Sequence, residues 1–156
     1  LHPKTLRHSG VVSNRELNRR IFMNFTDAVK AYFLKWNDFR SRSSRSEYWW
    51  ATLFVTLASF PVGFIIGFVI AYLFAIAGFS DTTIEIVVGI AALPLQIFII
   101  IASTCLVIRR LHDVDKSGWW YLIIFTIIGM IPLLIWYCSK GTDGDNRFGK
   151  DPLEQY

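Results

Sequence analysis

From Trp49 to Phe79 the chain carries no charged side chain, a run of 31 residues. As one helix that run would measure about 46 Å, against a hydrocarbon layer of roughly 30 Å. A water-soluble domain spaces its apolar residues at the period of a helix or strand so that one face stays wet, and this segment has no wet face. A second uncharged run, Ile86 to Ile108, is also of spanning length, and a third, Trp119 to Cys138, holds about twenty residues, just enough to cross. A hydrophobic share of 53% and a mean hydropathy of +0.40 agree with that pattern. The expected fold is therefore all-α: a polytopic membrane protein with about three transmembrane helices, residues 49–79, 86–108 and 119–138. Tilt, a kink at Pro61 or a first turn in the interface would absorb the excess length of the first.

The flanks are polar. Residues 1–22 hold five basic side chains and no apolar stretch, so they lack the core of a cleavable signal peptide and are expected to be a disordered extension ahead of a natural start at Met23. From Asn24 to Asp38, the residues Phe25, Val29, Tyr32, Phe33 and Trp36 recur at three- and four-residue spacing, the pattern of an amphipathic helix of about four turns. That helix would lie in the headgroup region or pack on the protein's own helices. The rest of residues 23–48 is a basic juxtamembrane segment with Arg40, Arg42 and Arg45, followed directly by Trp49 and Trp50. Six residues, Ser80 to Glu85, all polar except Ile84, link the first two spans as a hairpin. Residues 139–156 form a turn-rich polar tail.

Charge sets the orientation. From Met23 onward, the N-terminal side holds five Lys or Arg, the first loop none, the second loop three and the tail three. With three spans the N-terminus and second loop share a side and are expected in the cytoplasm, with the tail outside. A re-entrant third segment, permitted by Gly129 and Pro132, would instead gather all eleven basic residues on one side. A four-span model split near Pro61 would swap the second loop and the tail.

Four motifs occur in order: Phe39-Arg-Ser-Arg-Ser-Ser-Arg-Ser-Glu47-Tyr48-Trp49, Arg109-Arg110-Leu111-His112-Asp113, Ser117-Gly118-Trp119-Trp120, and Gly141-Thr-Asp-Gly144-Asp-Asn146-Arg147-Phe148-Gly149. In these the chain resembles the YhaH-like inner-membrane proteins, domain of unknown function 805, over Met23 to about Pro152. It departs from the family in having Arg40 and Ser41 where a glycine commonly follows the phenylalanine. The resemblance implies a bacterial inner-membrane location and supplies no established activity.

The candidate site residues gather at these motifs. Arg40, Arg42, Arg45, Arg109 and Arg110 are placed to hold lipid phosphates or an acidic partner, or to serve only as positive-inside signals. His112 and Asp113 go beyond what topology needs, yet neighbouring side chains on a helix do not face one another, and one His with two carboxylates is an incomplete metal set. Trp49, Trp50, Trp119 and Trp120 are interface anchors. Ser59, Gly63, Gly67, Ala71 and Ala75 step by four along the first span as a packing stripe, against the protein's own helices or a second copy in a homo-oligomer. Asp143-Gly-Asp145-Asn146 begins like a calcium loop, but the residues up to Glu154 break the pattern. Cys105 and Cys138 are too few for a disulfide framework or a zinc site. No metal, cofactor or nucleic-acid partner is expected, and no P-loop, G-x-S-x-G, H-E-x-x-H or C-x-x-C occurs. The favoured reading is a non-enzymatic membrane protein that binds lipid, in particular anionic headgroups, or a partner. An oligomeric transporter or channel subunit and a membrane-surface enzyme using His112 and Asp113 are the alternatives.

Overall fold

The computed structural model describes residues 23–154, so the expected disorder of residues 1–22 lies outside it. The architecture is all-helical, as the uncharged runs require. The first helix, α1, spans Phe25–Leu34; the side chain of Asn24 caps it by accepting from the N–H of Asp27 at 2.8 Å. It is shorter than its apolar periodicity implies, because Asp38 turns the chain back by accepting from the N–H groups of Arg40 and Ser41. Its buried face is Ala28, Ala31 and Tyr32. Phe25 and Phe33 lie edge-on against Trp50 and Phe54, and Phe33 and Trp36 reach Phe98.

Helix α2 spans Arg45–Ile76 and α3 spans Asp81–Asp113, an antiparallel pair closed by residues 77–80. Ser44 and Ser80 cap their N-termini by accepting from Glu47 and Thr83. The loop differs from the six-residue link Ser80 to Glu85 expected from the sequence, because Asp81 to Glu85 already belong to α3. Both helices are long and apolar enough to cross a membrane, and their most apolar stretches lie on the outside of the molecule. Beyond Phe54 and Phe98, on which α1 stacks, they run on together through residues 55–76 and 81–98. Phe64, Phe68, Ile86 and Ile90 face outward there. That part of the hairpin is about 33 Å long on α2 and 27 Å on α3, at 1.5 Å per residue.

The third apolar segment corrects the expectation of one continuous helix. Residues Gly118–Phe125 form a 3-10 helix, the chain turns at Thr126 to Gly129, and a nine-residue helix α4 follows over Met130–Cys138. Thr126 stabilises the turn, its hydroxyl donating to the carbonyl of Ile123 and accepting from the N–H of Gly129. The segment also enters and leaves at one end of the bundle. Gly118 lies so close to α3 that a Cβ there would sit 2.8 Å from Ile108, and the carbonyls of Trp136, Tyr137 and Ser139 return to Arg110. The tail and the Arg109–Gly118 loop, placed by the three-span expectation at opposite ends, are in contact: the N–H of Thr142 donates to the carbonyl of Asp113 at 2.8 Å.

Candidate functional site

Burial in this molecule is inverted. Arg109, Arg110 and Glu47 are 0% exposed, and Arg42, Asp113 and His112 are buried with them, whereas Phe125 and Ile127 are 84% and 89% exposed. The buried polar groups all lie where α2 begins and α3 ends, and the four sequence motifs meet there.

Asp113, the last residue of α3, is the hub. One carboxylate oxygen accepts from Arg42 Nε and Nη2 at 3.2 and 3.0 Å, and the other accepts from Arg110, one turn earlier on the same helix. Each arginine spends its other donors on backbone carbonyls. Arg42 reaches Thr142 at 2.7 Å, Gly144 at 2.6 Å and Gly149 at 3.3 Å, tying the tail to the segment before α2. Arg110 reaches Trp136, Tyr137 and Ser139, three carbonyls that the end of α4 leaves without helical partners. The tail in turn caps α3: Thr142 bonds to the carbonyl of Asp113, and the Asn146 side chain donates to that of His112 at 2.9 Å. Gly141 makes this approach possible, since any Cβ there would collide with the Asp113 carboxylate.

A second buried pair, Arg109 to Glu47 at 2.8 Å, joins the end of α3 to the first turn of α2, beside a backbone bond from Ser43 N–H to the Arg109 carbonyl. Three guanidinium groups are thus matched by two carboxylates and a set of carbonyls. Removing one member of such a pair leaves an uncompensated buried charge. His112 stacks on Phe148 with ring centroids 4.0 Å apart, its Nδ1 3.3 Å from the Ser41 carbonyl. Burial holds its pKa below the ordinary histidine value.

The predicted site residues therefore divide. Arg42, Arg109, Arg110, His112 and Asp113 are brought together in the interior, with their charges committed to the protein. Arg40 and Arg45 remain exposed, the latter 3.4 Å from the Cys138 carbonyl. Trp49, Trp50, Trp119 and Trp120 are exposed around the same end. In the small-residue stripe, Gly67 faces Val88 of α3 whereas Gly63 has open space beside it. Ser59 bonds only to the Thr56 carbonyl of its own helix, Ala71 is half-buried and Ala75 is exposed. Among the described residues no three His, Cys, Asp or Glu side chains converge as a metal set. Sequence reasoning missed Glu47, Thr142, Asn146 and Gly141 as parts of the polar interior; Ser44-x-x-Glu47 was a readable capping box, and Glu47 a carboxylate facing three arginines.

An all-helical molecule with two exposed membrane-length helices and its charges folded inward at one end is an integral membrane protein. Comparison gives the family: residues 36–150 match the model of the protein of unknown function DUF805, and the chain belongs to that family. It is similar to the inner membrane protein YhaI of Escherichia coli K12, 34% identical over 119 residues that cover 73% of this chain and 85% of that protein. It is also similar to the inner membrane protein YhaH of the same strain, 35% identical over 115 residues covering 73% of this chain and 86% of that protein. No solved structure matches.

Proposed function

We propose that the chain is a non-enzymatic protein of the inner membrane that engages phospholipid headgroups of the cytoplasmic leaflet through the exposed rim of its polar end. The observation that carries this reading is the division of the basic side chains. All eleven Lys and Arg from Met23 onward belong to the segments gathered at the polar half, while the loop of residues 77–80 has none. Three of them are sealed inside, and Lys30, Arg40, Arg45, Lys140 and Lys150 are on the surface. Basic residues stay cytoplasmic, so the polar end faces the cytoplasm and the tail lies there with Met23. The hydrocarbon is then crossed by residues 55–76 and 81–98, whose lengths fit a layer of roughly 30 Å. The third segment dips into the cytoplasmic leaflet and returns. All six tryptophans belong to that half of the molecule, where an interfacial belt is needed.

Two measurements test this. In a background lacking Cys105 and Cys138, a cysteine at Ser80 reacts with a membrane-impermeant thiol reagent on intact cells, and one at Lys150 reacts only after permeabilisation. Labelling of Lys150→Cys on intact cells overturns the sidedness. Replacing Lys30, Arg40 and Lys150 by Gln lowers the anionic lipid that copurifies, each cation near such a surface contributing about 1 kcal/mol. Retention equal to that of the parent overturns the headgroup role.

A further inference from the structure

Between the start of α2 and the tail lies a cleft of about 430 Å³, within the usual range for a small-molecule site. Trp49 and Trp50 line it from α2, on the side that continues into the apolar hairpin. Its charged lining is of both signs. Arg45 and Lys140 supply two cations, and Asp143 and Asp151 two carboxylates. A third carboxylate, Asp113, also borders the space, but Arg42 and Arg110 already engage both of its oxygens, and the oxygens of Asp151 accept from the N–H groups of Gly144 and Leu153, so Asp143 is the carboxylate that can change partner. Lys140 and Asp143 pair with each other at 2.8 Å while 78% and 80% exposed, a surface contact of little energy that a ligand can open.

The wall therefore offers balanced charge beside two indole rings, and its chemical complement has one negative group, one positive group and an apolar body. We infer that this cleft binds one phospholipid with a primary-amine headgroup, of the phosphoethanolamine class. Its phosphate lies against Arg45 and Lys140, its ammonium against Asp143 beside the backbone-bound carboxylate of Asp151, and its glycerol and first acyl carbons along Trp49 and Trp50. Arginine grips phosphate oxygens through two parallel N–H donors, and Trp suits the boundary where a lipid passes from polar to apolar. A lipid with a glycerol headgroup satisfies the cations and leaves Asp143 without a partner, so the acidic side of the cleft selects the amine. Binding is a non-covalent exchange of headgroup water for protein groups.

The inference rests on the polar end lying at the membrane surface, and its test uses none of the replacements at Lys30, Arg40 and Lys150. The full chain in detergent is titrated with soluble dihexanoyl phosphatidylethanolamine and dihexanoyl phosphatidylglycerol, and binding is read by native mass spectrometry. One ethanolamine lipid binds per chain in preference to the glycerol lipid. Arg45→Gln weakens both by at least about tenfold, since it removes the charge-assisted grip on the phosphate. Asp143→Asn, at a surface position that leaves the fold intact, frees Lys140 and turns the preference toward the glycerol lipid. Equal binding of the two lipids by the parent overturns the proposal, as does a preference that Asp143→Asn leaves unchanged. If cysteine labelling keeps the polar end cytoplasmic while this selectivity is absent, the cleft assignment fails and the sidedness stands.

Discussion

The two ends of the α2–α3 pair obey opposite rules. At the polar end, arginines and carboxylates with 0–4% of their side chains exposed are held by ion pairs and backbone carbonyls. Along the hairpin, Phe60 and Phe64 stand outward, 80% and 66% exposed. In water the second region would be an aggregation site and the first a needless desolvation cost. In a bilayer the hairpin needs no partner, because acyl chains are as apolar as its side chains, and stability falls to the place where helices meet through directional bonds. The specificity of this fold therefore resides in its charges.

The largest effect that would break this contrast is at the hub. Asp113→Asn leaves Arg42 and Arg110 without a counter-charge and should destabilise the protein by about 3–5 kcal/mol, whereas Phe64→Ala on the hairpin should cost less than about 1 kcal/mol. Thermal unfolding in detergent followed by tryptophan fluorescence compares them, and similar midpoints for the two variants would erase the distinction. At the second pair, Arg109→Leu strands the Glu47 carboxylate. Arg109→Leu with Glu47→Leu should recover part of the loss, a coupling of about 1–3 kcal/mol in a double-mutant cycle. Additive effects would mean that the pair does not act as a unit.

How much of this was legible in the sequence follows from the same contrast. Two helices of membrane-crossing length could be read because an uncharged run of more than twenty residues has no place on a surface that faces water; their starts moved earlier, where Ser44 and Ser80 cap them, α2 stopped at Ile76 and α3 ran on through the charged residues to Asp113. The third segment was read as one helix because twenty apolar residues satisfy a length rule, whereas the structure divides it into a 3-10 helix and α4; Thr126, Gly129 and Pro132 mark the turn, but a spanning helix also tolerates such residues. The arginines were found and their role was not. A guanidinium beside a membrane run looks the same whether it faces lipid phosphate or a carbonyl more than twenty residues away. What could have separated the two is the supply of partners: Glu47 and Asp113 stand inside the same motifs, and a tail rich in glycine leaves carbonyls open to approach.

A smaller effect sharpens the hairpin side. Gly67 sits where a Cβ would lie 3.6 Å from Val88, and Gly63 has nothing within 4 Å. Gly67→Leu should push the helices apart and cost about 1–3 kcal/mol, while Gly63→Leu should leave the monomer's melting midpoint in place. If Gly63→Leu is the more damaging, its open face is covered by a second copy of the chain, which a shift in oligomer size on gel filtration would show.

The smallest effect belongs to His112, which lies past the spanning residues, at the polar end. Its ring is held against Phe148, and burial lowers its pKa; the Ser41 carbonyl favours the charged form, and Arg147 opposes it. The folded state thus binds a proton less readily than the unfolded state. Above the ordinary histidine pKa of about 6.5, both states are neutral and the stability of the buried ring is complete. As the pH falls through that value the unfolded chain takes up a proton first, so stability declines until the depressed folded value is also passed. Asp38 does not confound this window: burial raises its pKa, but hydrogen bonds from the Ser41 hydroxyl and the N–H groups of Arg40 and Ser41 outweigh burial and hold it below the ordinary carboxylate value. Melting midpoints at about pH 7.5 and 5.5 should therefore fall further apart in the parent than in His112→Gln, which cannot take the proton. Parallel pH profiles would show that the stacked ring tolerates its charge, and that only the carboxylates and guanidiniums of the polar end are sealed from water.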